Sequence, residues 1–160
     1  MGLQIDVTGA TGFGPTALAA FDDALMSAGV SNFNLVRLSS MIPPGAVVSQ
    51  SSRQRRSGEW GDRLYAVWAV QKAELLGQEA WAGVSWVQDP ERGHGVFVEH
   101  EGASELQVRE ELYASIQNLR KAHQLPDVGE HTVVVGTRCE VQPVCALVIA
   151  PFASAGWDSL

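Results

Sequence analysis

The chain has little sulfur: two cysteines, Cys139 and Cys145, in 160 residues. That excludes a disulfide framework. Long apolar runs are missing too. The longest, residues 144–152, contains Pro151 and is far short of a membrane-spanning helix. The N-terminal Met-Gly-Leu-Gln-Ile-Asp has neither the basic nor the long apolar segment of a secretory signal, so the expected location is cytoplasmic. Basic residues are in deficit, 11 against 18 acidic ones, for a net charge of -7. This balance argues against nucleic acid or an anionic membrane as partner and accommodates a cationic small substrate. His94, His100, His123 and His131 are scattered without metal-ligand spacing, so no metal is expected. His100, between Glu99 and Glu101, reads as part of a solvated cluster.

What is present is globular. Apolar residues make up 46% and charged residues 18%, enough for a real core in one domain covering residues 1–160. Leu3, Ile5 and Val7 alternate as a strand. Gly9, Gly12 and Gly14 then read as a loop whose glycines supply positive φ, and Pro15 as the start of a helix over about 15–28. Leu18, Phe21, Leu25 and Ala28 share one face of that helix, and Gly29 suits its left-handed end. The same geometry places Asp22 beside the buried face and Asp23 away from it. Residues 31–40 read as a strand closed by Pro43-Pro44-Gly45, and residues 50–63, with three arginines, as a surface loop. Further strands are expected near 64–70, 80–87, 94–99, 131–137 and 144–150. Ser104 and Gln107 have the spacing of a capping box before a helix that buries Val108, Leu112, Ile116 and Leu119. The pattern is α+β, with helices covering sheet faces.

Most of the chemistry suggested by single motifs fails on spacing. The glycines at 9, 12 and 14 do not fit a dinucleotide loop, and the following strand ends in serines rather than an acidic residue. Cys145, inside an apolar run, reads as core, with a Cys–His nucleophile left open. Ser39-Ser40, ahead of a rigid Pro-Pro-Gly turn, has two readings: an ordinary strand end, or a hydroxyl beside a strained backbone, as peptide self-cleavage requires.

The wider context decides between them. Phe21-Asp22-Asp23-Ala24-Leu25, the run from Ala28 to Gly45 with its Asn-Leu-x-x-x-Ser-Ser-x-x-Pro-Pro core, Ala82-Gly83-Val84 and Gly95-Val96-Phe97-Val98-Glu99 together resemble the pyruvoyl-dependent arginine decarboxylases over about residues 3–150. The resemblance implies a four-layer αββα sandwich and a homotrimer with its site between subunits. It implies self-cleavage between Ser39 and Ser40 into a β chain, residues 1–39, and an α chain, residues 40–160. Ser40 would become the pyruvoyl cofactor, Asn34 would polarise a carbonyl oxygen, and Glu99 would protonate the carbon left by carbon dioxide. Asp22 would bind the substrate guanidinium. The implied reaction converts L-arginine to agmatine and carbon dioxide through a Schiff base, without metal, as a step of arginine catabolism or polyamine biosynthesis. Two other readings stay open at this point: a decarboxylase of another amino acid, and an uncleaved trimer that binds a cationic ligand without catalysis.

Overall fold

The structure, a computed structural model, describes residues 2–159. Nine strands and two helices form four layers. The strands are β1 (Gln4–Phe13), β2 (Asn34–Arg37), β3 (Met41–Ile42), β4 (Val47–Gln50), β5 (Arg63–Ala73), β6 (Glu79–Gln88), β7 (Gly95–Gly102), β8 (His131–Arg138) and β9 (Val144–Ala155); the helices are α1 (Ala17–Ala28) and α2 (Glu105–Ala122). One sheet has the order β2-β5-β9-β1-β4, the other β3-β7-β6-β8. Ile5, Val7, Val67, Val84, Phe97 and Val148 are among the side chains buried between the sheets. Helix α1 covers the outer face of the first sheet through Ala20, Ala24 and Ala28, and α2 covers the second through Val108, Leu112 and Ile116.

This layering explains the longest apolar run. In β9, Val144, Ala146, Val148 and Ala150 face the other sheet, while Cys145, Leu147 and Ile149 face α1. A strand covered on both sides has no polar face to alternate with, so its sequence is continuously apolar.

The glycine stretch is corrected. Residues 9–13 belong to β1, and none of Gly9, Gly12 or Gly14 has positive φ. Gly12 is small for another reason: a Cβ there would lie 2.4 Å from the Ala20 carbonyl oxygen and 2.3 Å from the Ala24 nitrogen. Glycine on the strand and an alanine stripe on the helix let the two backbones approach. The helix starts two residues later than expected, because Thr16, not Pro15, caps it; Thr16 Oγ1 accepts from the Ala19 N–H at 3.0 Å. Its end is as expected, at Gly29 with φ 88°.

Residues 31–40 are not one strand. β2 pairs with β5 only over Asn34–Arg37, and the Leu38 N–H still reaches the Ala66 carbonyl. The chain then leaves this sheet and enters the other at Met41, which pairs with Val96. Ser39 and Ser40 therefore lie in the crossing between the two sheets.

Candidate active site

Ser40 sits at the end of that crossing, where β3 begins. Its carbonyl accepts from the Phe97 N–H at 2.9 Å, which fixes it against β7. Its φ is 75°, in the left-handed region that a non-glycine residue enters at a cost of order 1–3 kcal/mol. Pro43, Pro44 and Gly45 complete the turn into β4, with the Ala46 N–H bonded to the Pro43 carbonyl. The hydroxyl of Ser40 donates to the Glu99 carboxylate, 2.8 Å from Oε1 and 2.9 Å from Oε2.

Glu99 follows from the pleat of β7. Phe97 faces the space between the sheets, and Glu99, two residues on, emerges on the same side at the edge that β3 leaves uncovered. Burial raises its carboxyl above the usual carboxylate range, while the Ser40 hydrogen bond and the Arg37 guanidinium act in the opposite direction. Arg37 itself is anchored on β5: it stacks 4.0 Å from the Trp68 ring centroid and donates to the Trp68 carbonyl at 2.8 Å. A cavity of about 330 Å³ opens here, lined by Ser39, Ser40, Met41, Phe97, Glu99 and His100 among others.

The structure brings Ser39, Ser40 and Glu99 together and leaves Asn34 and Asp22 apart from them. Asn34 lies at the far end of β2, where its amide donates to the Gly61 carbonyl at 2.8 Å, and it does not line the cavity. Asp22 is exposed on α1, in the layer covering the other sheet. The helix-face expectation is reversed for its neighbour. Asp23 is the half-buried one, and its Oδ2 accepts from the Phe13 N–H at 3.0 Å. Closeness to β1 through Gly12 turns this side of α1 towards the strand.

His100 is also corrected. It is half-buried and held by α2, with Nε2 2.7 Å from Ser115 Oγ and Nδ1 3.3 Å from Glu111 Oε2. Glu111, Ser115 and Leu119 follow at four-residue steps, a helical stripe that was readable in the sequence; that it faces β7 was not. Cys145 is buried, and burial pushes its thiol up to about 11, which removes it as a nucleophile near neutral pH. Among the described residues there is no cluster able to hold a metal ion and no helix long and apolar enough to cross a membrane.

Comparisons with known proteins find relatives of this chain. A pyruvoyl-dependent arginine decarboxylase from Halobacterium salinarum is 40% identical over 83 residues, 52% of this chain and 51% of that protein. One from Picrophilus torridus is 30% identical over 105 residues, 65% of this chain and 58% of that protein. The matches thus span about half the length of these curated relatives. A solved structure of pyruvoyl-dependent histidine decarboxylase at pH 8 aligns with 89% of this chain and 64% of its own, at a TM-score of 0.48 and 14% identity. The family model for pyruvoyl-dependent arginine decarboxylase matches residues 4–155, nearly the full length, and the chain belongs to that family.

Proposed function

We propose that this chain cleaves itself between Ser39 and Ser40 and that the resulting pyruvoyl enzyme decarboxylates L-arginine to agmatine and carbon dioxide. The observation that carries this reading is Ser40: left-handed backbone and a hydroxyl on a half-buried carboxylate, at the wall of a cavity. For cleavage, Ser40 Oγ attacks the Ser39 carbonyl carbon as Glu99 takes its proton, and the acyl group passes from nitrogen to oxygen. Elimination then frees residues 1–39 with a carboxylate end. Hydrolysis of the dehydroalanine left at position 40 releases ammonia. Glu99 is suited to the base role by contact, because the hydroxyl already donates to it.

The residues around Ser40 also fit the group it would become. The Phe97 N–H fixes the position 40 carbonyl, and the cavity leaves space beside it for an amino acid. A pyruvoyl group there supplies a carbonyl that accepts the electrons of the breaking Cα–carboxylate bond. In turnover Glu99 has the opposite task, to deliver a proton to that carbon. Burial suits it, since desolvation favours the neutral acid. Val96 and Phe97, both buried, give the cavity an apolar wall.

Asn34 and Asp22 keep the roles the family resemblance implies only if a neighbouring copy presents them, because neither reaches the cavity of its own chain. The homotrimer, in the cytoplasm, is the working form that the family resemblance implies. Intact mass tests the reading: denatured protein resolves into two chains, the larger with a blocked N-terminus, and Ser40→Ala stays a single inactive chain. A fully active Ser40→Ala protein would sink the mechanism.

A further inference from the structure

The cavity has a second polar wall that neither cleavage nor proton delivery uses. Ser115 and Leu119 of α2 line it together with His100 of β7. The contacts to His100 from Ser115 and Glu111 have a direction. A carboxylate only accepts, so of the two neutral tautomers the one with its proton on Nδ1, towards Glu111 at 3.3 Å, suits this neighbour, and it leaves Nε2 as an acceptor. A hydroxyl has one proton, and at 2.7 Å that of Ser115 goes to Nε2. Ser115 therefore turns only lone pairs to the cavity.

We propose that Ser115, oriented by the Glu111–His100 pair, is a specificity-determining acceptor for the N–H donors of the substrate guanidinium; the proposal rests on the arginine reading above. A guanidinium has five donors and no acceptor. A wall whose proton is already committed matches it, and its cationic charge strengthens the hydrogen bond. Citrulline, the neutral isostere, gains less from the same wall.

The test uses purified cleaved protein and two readouts: calorimetric agmatine binding and steady-state arginine turnover. Ser115→Ala is expected to raise the agmatine Kd and the arginine KM roughly ten-fold, with kcat within about two-fold, while Ser115→Thr retains the parent values. His100→Gln removes the ring that orients the Ser115 hydroxyl, so it is expected to raise the same two constants by less than Ser115→Ala does, again with kcat within about two-fold. Unchanged agmatine affinity in Ser115→Ala, Ser115→Thr as weak as Ser115→Ala, or parent-like agmatine affinity in His100→Gln overturns the proposal. If Ser115→Ala does not fold, His100→Gln decides alone. A parent protein that binds agmatine through Ser115 but releases no carbon dioxide from arginine overturns the decarboxylase reading and leaves the contact standing. A parent that decarboxylates arginine while Ser115→Ala binds agmatine normally does the reverse. A parent that does neither overturns both.

Discussion

β9 and the crossing at residues 38–40 are built on opposite terms. β9 is paired on both sides, with β5 and β1, and residues 144–152 are buried throughout. The crossing belongs to neither sheet, is half exposed, and holds a non-glycine residue at positive φ. One segment carries the stability of the sandwich, and the other uses a little of it to hold a hydroxyl against a carboxylate. The difference teaches where to look for chemistry in a layered β protein: at the few residues where the chain changes sheet. There, backbone strain is tolerated because the surroundings over-determine it.

Substitutions at the two places should separate cleanly. Ser40→Ala is expected to abolish cleavage while leaving the fold intact, checked by gel and thermal melt. A loss of folded structure would mean that the crossing supports the sandwich after all. Glu99→Gln should lower the decarboxylation rate by roughly 10²–10⁴ in protein that has been cleaved, the range for a general acid; parent-like turnover, with loss in Glu101→Gln instead, would move the role to Glu101. In β9, Leu147→Ala should destabilise the fold by about 2–5 kcal/mol in denaturant titrations, with cleavage at Ser40 still complete under native conditions. Ser40→Gly should be more stable than Ser40→Ala by about 1 kcal/mol, since glycine accepts a φ of 75° without strain.

Glu99 adds a pH signature to the contrast. Its carboxyl is raised in the folded state, so the fold binds this proton more tightly than the unfolded chain does. Its contribution to stability is complete below the ordinary carboxylate value and is lost as pH rises through the raised one. Relative to Glu99→Gln, the parent should therefore lose stability over that window and not beyond it, measured by melts at fixed pH steps. A constant difference across the window would show that the carboxyl is not held in a desolvated setting.

Much of the fold was legible where local chemistry and tertiary role coincide. Ser104 accepts from the Gln107 N–H, as the spacing indicated, and Val108, Leu112 and Ile116 are buried beneath it. The glycines of β1 were misread because glycine serves both positive φ and close approach, and only the partner, here α1, tells which. Strand ends were placed too short because Lys72 and Gln71 look like turn residues yet pair with β9 at the sheet edge. β4 was missed entirely; four residues after a proline turn carry too little periodicity. At the site, Ser40 and Glu99 were named from a motif, and the structure puts them in contact. Asn34 and Asp22 came from the same resemblance, and a single chain does not bring them there. Asp22 and Asp23 differ by a 100° rotation, which a helix-face argument resolves only when the covering strand is known. Asp23→Asn should accordingly cost about 1 kcal/mol of stability through the weakened Phe13 contact, and Asp22→Asn nothing in melts; equal stability of the two variants would dissolve that distinction.

Residues 1–39 contribute β1, α1 and β2, all to one sheet, and β1 lies between β9 and β4 of the remainder. A chain cut after Ser39 thus becomes two polypeptides interleaved like the teeth of a zip. The short fragment cannot leave without stripping hydrogen bonds from both of its neighbours, so the cut protein holds together while folded. Once melted, however, its halves must find each other again in solution. Each copy that unfolds as a single chain before cleavage comes apart as two after it, so its midpoint gains an added dependence on protein concentration. Maturation at the crossing would make this protein a one-way assembly, folded as one molecule and dependent afterwards on never fully coming apart.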